Sequence, residues 1–187
     1  MAAVGDIAIC NSGLIKIGAR RISSFDEGSK EAKLCKEQYD KLRDAALEAH
    51  PWKFAIKRAE LSKLVTTPAF EWDNEFQLPV DCLRVIYMED RREKFTIEGD
   101  KLLTNAAEAK VKYISKVTNP DLFGKMFKEY LAHLIASEFS YPLVQSVSLG
   151  ERIFAKTNIF TRDTRSSDSQ QGTPDNFTDD VWLDSRL

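Results

Sequence analysis

The stretch from Ala32 to Ala49 constrains the fold more than any other part of the chain. Ala32, Cys35, Tyr39, Leu42, Ala46 and Ala49 step by 3, 4, 3, 4 and 3, which places all six in one stripe along a helix. The stripe is narrow and rich in small residues, so another helix can approach it closely. His50-Pro51 ends it, because proline disfavours the helical conformation of the residue before it. The fold must therefore bury this stripe against at least one further helix, and the spacing predicts a helix over about 29–49.

Three more helical patterns supply partners. Ile7, Cys10, Leu14 and Ile17 form one apolar stripe over about 4–17, with Gly18 placed for a left-handed cap. Ser24 and Glu27 have the spacing of a capping box ahead of the second helix. Asn119-Pro120 reads as an N-cap followed by proline at the first helical position. Phe123, Phe127, Tyr130, Leu134 and Ser137 then mark a helix over about 120–141, which Tyr141-Pro142 interrupts. A fourth helix over about 143–162 has weak propensity between Ser146 and Gly150, where a kink is expected.

Between Trp52 and Lys116 the period changes. Lys53 to Arg58 alternates loosely, Leu83, Val85 and Tyr87 alternate with Arg84, Ile86 and Met88, and Val111, Tyr113 and Ser115 give another short strand. Phe95–Glu98 and Lys101–Thr104 flank Gly99-Asp100, a tight hairpin turn. The expected class is mainly α: a bundle of about four long helices, a small antiparallel β insertion over about 53–116, and an extended C-terminal tail. The body covers 1–165 and the tail 166–187.

That tail holds five aspartates and one arginine, a net charge of −4, within a chain whose total is −2. Such a composition alone belongs to a disordered acidic segment. Phe177, Val181, Trp182 and Leu183 interrupt it as isolated apolar anchors, so a partner surface is expected to order it. Charge also argues against a strongly cationic nucleic-acid binder, which needs a basic excess to displace counterions. No apolar run reaches eighteen residues, which excludes a transmembrane helix, and no signal peptide is read at the N-terminus. The three cysteines, Cys10, Cys35 and Cys82, are widely spaced and read as buried free thiols of a reducing compartment.

Little in the sequence points to chemistry. His50 and His133 stand alone, no Cys-x-x-Cys pair exists, and no metal site or cofactor is expected. Phosphate-cradling glycine motifs and a nucleophile elbow are missing. Glu71, Asp73, Glu75 and Asp81 lie around Trp72 and Phe76, and two carboxylates at a fixed separation are all that a glycosidase needs. A solvated loop whose aromatics plug the core is the preferred reading of that set. Arg91-Arg92, beside Asp90, Glu93 and Lys94, reads as a mixed-charge hairpin edge rather than a phosphate site.

Several strings occur in order: Ile9–Ala19 in the first helix, Glu31-Ala32 through Tyr39 and Arg43–Leu47 in the second, then His50–Ala55 and Phe76–Arg84. Over about residues 4–165 this set resembles the tail tubular protein A family, the head-to-tail adaptors of short-tailed bacteriophages. The resemblance implies a structural, non-enzymatic virion protein made in the host cytoplasm. It implies a twelve-subunit ring below the portal protein that extends the DNA channel and carries the nozzle protein. Tail fibres or spikes dock on such rings, genomic DNA passes without sequence-specific binding, and no membrane is involved. Phe177, Val181, Trp182 and Leu183 are then candidate contacts to the portal or to a neighbouring subunit. The alternative is a tail-associated peptidoglycan hydrolase using the carboxylates of residues 71–81.

Overall fold

Gly18 ends the first helix as its position predicts. Its φ of 72° lies in the left-handed region, and the amides of Gly18 and Ala19 bond back to the carbonyls of Ile15 and Leu14. In the computed structural model, which describes residues 4–169, this helix is α1 (Val4–Lys16). It is followed by α2 (Lys30–Glu48), α3 (Lys125–Val144) and α4 (Val147–Ser169). Helix α3 is central: α1, α2 and α4 all pack on it, and Phe127, Leu131, Ala132, Ile135, Ala136 and Phe139 are buried there.

Several helix boundaries differ from the sequence reading. The cap of α2 is Ser29, whose side chain accepts from the Ala32 amide. Glu27 instead accepts from the Ser23 amide and the Ser29 hydroxyl, so the Ser24/Glu27 pair shapes the preceding loop. Asn119 caps a single 3-10 turn, Pro120–Leu122, and α3 starts after Gly124. Pro142 does not interrupt α3, because it lies in the last turn, where few hydrogen bonds remain to be lost. The break comes at Gln145, with a left-handed φ of 56°. On α2 the buried face includes Arg43 and Leu47 besides Ala32, Cys35, Tyr39 and Ala46. Asp40 and Asp44 hold the Arg43 guanidinium at 2.7 and 2.8 Å, and this pairing lets a cation lie on a core face.

The expectation of a mainly-α bundle with a minor insertion is overturned. Among the described residues, four helices stand beside seven strands in two antiparallel sheets. The strands are β1 (Ile56–Glu60), β2 (Ser62–Lys63), β3 (Asn74–Gln77), β4 (Cys82–Met88), β5 (Phe95–Glu98), β6 (Lys101–Thr104) and β7 (Lys110–Ser115). One sheet has the order β1-β7-β4, the other β2-β3-β6-β5. Between them lies a second apolar cluster, with Phe76 and Leu102 from one sheet and Met88, Val111 and Tyr113 from the other. The two sheets thus bury their own core, which a minor insertion would lack.

The three-stranded sheet joins the two cores. On β7, Val111 and Tyr113 face the inter-sheet cluster while Ile114 belongs to the helical cluster, as the alternation of a strand requires. Strand β4 does not alternate simply. Its register against β7 slips between Cys82 and Arg84 and again between Val85 and Tyr87. The two extra residues, Leu83 and Ile86, pack against the helical cluster. Each bulge re-aims one side chain and also roughens an edge strand against stray pairing. Trp52 seals the junction. Its indole N–H donates to the Ala46 carbonyl at 2.8 Å, and its ring lies 5.1 Å from Phe127 and 5.9 Å from Tyr130.

Candidate functional site

Two of the four carboxylates that suggested hydrolysis, Glu75 and Asp81, have structural partners. Glu75 lies on β3, not on a loop, and accepts from Lys101 Nζ and Thr66 Oγ1, both at 2.8 Å. The Lys101 and Thr66 hydrogen bonds hold its carboxyl below the ordinary range. Asp81 pairs with Lys57 at 2.6 Å and accepts from the Tyr113 hydroxyl at 3.1 Å. Burial pushes Asp81 up, but the bonds from Lys57 and Tyr113 outweigh it and the net direction is down. Two carboxylates held ionised are the opposite of what a general acid requires. Phe76 fills the inter-sheet core, as the aromatic-plug reading expects, whereas Trp72 is half-buried.

Cys10 and Cys35 are buried and unoxidised, and Cys82 is half-buried. The hydrogen bond with Cys35, together with burial, pushes the Cys10 thiol up, so it is protonated and inert. No group of three or more His, Cys, Asp or Glu residues suited to a metal occurs among the described residues. No helix among them is long and apolar enough to cross a membrane. The anchors Phe177, Val181, Trp182 and Leu183 fall outside the described residues.

Docking features are plainer. In the three-stranded sheet, Arg58, Lys112 and Tyr87 stand directly opposite one another on β1, β7 and β4. Directly opposed residues share a face, and this is the face that Ile114 turns to the helices. The helical layer covers the Ile56–Ile114 end and leaves the Arg58–Lys112–Tyr87 end open. A groove of about 440 Å³ results, lined also by Glu60, Glu89 and Lys110. Tyr87 is clasped by cations: the Arg91 guanidinium carbon lies 4.3 Å from its ring centroid and Lys112 Nζ lies 4.9 Å from it. Lys112 also donates to the Tyr87 hydroxyl at 3.0 Å. Lys110 is answered more loosely by Glu89 at 3.6 Å and Glu108 at 3.9 Å.

Arg91 reaches this place because β4 and β5 belong to different sheets. Residues 89–94 form a crossover rather than the hairpin edge read from the sequence. A second hollow adjoins the groove on the far side of Tyr87, bordered by Ile86, Asp90, Arg91, Glu93 and Phe95. The Lys-Val-Lys alternation at 110–112 was visible in the sequence. Its pairing with Arg58 and Tyr87 was not, since register across three strands depends on the two β4 bulges.

Two apolar surfaces complete the picture. At the α3–α4 corner Tyr141, Val144, Val147 and Phe154 are exposed. Val147 and Phe154 lie seven residues apart in one stripe of α4, at the border of the face that buries Ile153, Thr157 and Thr161. The second surface is the loop joining β2 to β3, where Val65 and Phe70 are 102% and 78% exposed. Glu71 beside Phe70 has a φ of 74°, and the Trp72 amide bonds across it to the Phe70 carbonyl. That γ-turn is of the strained hand. The base of the loop is pinned, since Asn105 Oδ1 accepts from the Asp73 amide and Asn74 Nδ2 donates to the Ala106 carbonyl.

No protein-family model matches the chain, and no curated protein does.

Proposed function

We propose that the chain is a non-enzymatic structural adaptor of a short-tailed bacteriophage, one subunit of a twelve-fold ring between portal and tail nozzle. The ordered strings between Ile9 and Arg84 support this reading. The structural observation that favours it is the pair of dissimilar apolar surfaces, one at the α3–α4 corner and one on the loop with Val65 and Phe70. A cyclic ring is built from heterologous contacts, so each subunit needs two different patches that complement each other. Val65 and Phe70, both exposed on one loop, offer apolar area that a neighbouring subunit would cover.

In this role the ring wall lets DNA slide, and a net charge of −2 suits a wall that does not grip phosphates. Phe177, Val181, Trp182 and Leu183 anchor the acidic segment on the portal or a neighbouring subunit. The test is the native mass of the protein, alone and with portal. The expected change is from 21.3 kDa to a complex carrying about 256 kDa of added adaptor, twelve copies of the chain. Val147→Asp with Phe154→Asp should abolish that change while leaving the melting temperature within a few degrees, because both side chains are exposed. A chain that stays at monomer mass with and without portal refutes the adaptor reading.

A further inference from the structure

We infer that the groove around Tyr87 is a docking site for an acidic peptide bearing an aromatic residue, and that the chain's own segment 170–187 is its occupant. Two cations lie against the Tyr87 ring: Lys112, which lines the groove, and Arg91, which lines the adjoining hollow. Arg58 extends the cationic row on β1. The segment presents the complementary order. In extended chain, alternate residues share one face, so Asp180, Trp182 and Asp184 line up as carboxylate, aromatic, carboxylate. Val181 and Leu183 fall on the other face.

Charge selects this occupant. Residues 170–187 hold four aspartates and one arginine, so that an acidic segment accompanies a body that is otherwise slightly basic. The Glu60 and Glu89 carboxylates on the groove rim set a limit, since they repel a uniformly charged polyanion such as DNA along its whole length. A peptide with carboxylates only at chosen positions avoids them. Trp182 between its two aspartates meets the Tyr87 ring and the cations around it, an arrangement that gains from cation–π attraction as well as from apolar contact. The assignment needs neither portal nor ring. It is independent of the twelve-fold ring, and it names this groove in place of the portal as the surface that Trp182 meets.

The experiment uses the full chain with p-benzoylphenylalanine in place of Trp182, irradiated and mapped by mass spectrometry. Cross-links are expected on β1, β7 or residues 84–94, whether within one chain or between two copies. Arg91→Glu with Lys112→Glu should lower their yield roughly tenfold. Adding Asp180→Lys with Asp184→Lys to that variant should restore it. Cross-links confined to other surfaces would overturn the assignment, as would a yield indifferent to the charge reversals. Equal loss of cross-links when a single-stranded oligonucleotide is added at low micromolar concentration, together with its direct attachment at Tyr87, would instead make the groove a nucleic-acid site.

Discussion

Replacing Gly13 by alanine sets helix propensity against packing, and the structure decides the sign. Gly13 lies inside α1, where alanine is intrinsically favoured by about 1 kcal/mol. A methyl group there would stand 2.7 Å from Ile135 Cγ2 and 2.9 Å from the Ala132 carbonyl oxygen. The carbonyl belongs to the backbone of α3 and cannot rotate away, so α1 must move off its neighbour by several tenths of an ångström. Overpacking of this kind costs about 1–3 kcal/mol. Backbone contact puts Gly13→Ala at the upper end, and the net loss is about 1–2 kcal/mol. For a chain of this size that lowers the melting temperature by roughly 2–8 °C, read by circular dichroism or calorimetry. Gly28→Ala is the control, because nothing lies within 4 Å of a methyl group there, and it should be neutral or slightly stabilising. Shortening Ile135 to valine should not rescue Gly13→Ala, since valine keeps a Cγ2 and the carbonyl stays. A melting temperature that rises in Gly13→Ala would refute the close approach of α1 to α3.

Other expectations test separate parts of the fold. Gly150→Ala, in contrast, should raise stability by up to about 1 kcal/mol: its new methyl meets Ser140 Cβ no closer than 3.4 Å, an ordinary contact, and thermal melting reads the gain. Gly99→Ala should lose about 1 kcal/mol in urea unfolding, because φ is 63° at that hairpin position and only glycine adopts it without strain. Phe76→Ala empties the inter-sheet core, where this side chain is 1% exposed. It should cost about 3–5 kcal/mol, with amide protection in the strands falling before that in α3, as hydrogen exchange would record. Burial and the nearby Lys16 charge push His133 below its ordinary value of 6.5, against the pull of Glu129. The unfolded chain therefore binds protons more readily, so stability falls as pH drops just below 6.5. His133→Gln should flatten that part of the stability curve.

How far the sequence disclosed the fold depended on where each signal came from. The α1 and α2 stripes, the Gly18 cap and the Gly99-Asp100 hairpin are local patterns, and the residues themselves announce them. The hairpin keeps a positive φ at Gly99 alone, as in a type II′ turn. Strand β3 was misread as an acidic loop because Asn74-Glu75-Phe76-Gln77 has one apolar residue in four. Its burial comes from pairing with β6 and from the Glu75–Lys101 bridge, both of which are tertiary. The same holds for β2, two residues long and polar. With β2 and β3 unseen, the second sheet had no body, and the β layer looked like an insertion. The groove was hidden for a related reason. Arg58, Tyr87 and Lys112 are far apart in the chain, and only the register of β1, β7 and β4 sets them in a row.

The way α4 is held bears on why this chain suits assembly. Its buried face toward α3 is unusually polar: Thr157 and Thr161 turn their hydroxyls back to the carbonyls of Ile153 and Thr157. Ser140 on α3 does the same to Ala136, so these groups are satisfied without bonding across the interface. Gly150 faces Ser137 and Ser140 at ordinary contact distance, so small and polar residues make up this part of the interface. Apolar area is what stabilises a surface helix, and among the described residues α4 packs chiefly on α3. At the border of that face α4 exposes Val147 and Phe154, which is apolar area that a partner would cover. The described part of α4 therefore joins a polar buried face to exposed apolar side chains along its border, a pattern that suits a helix completed by a partner.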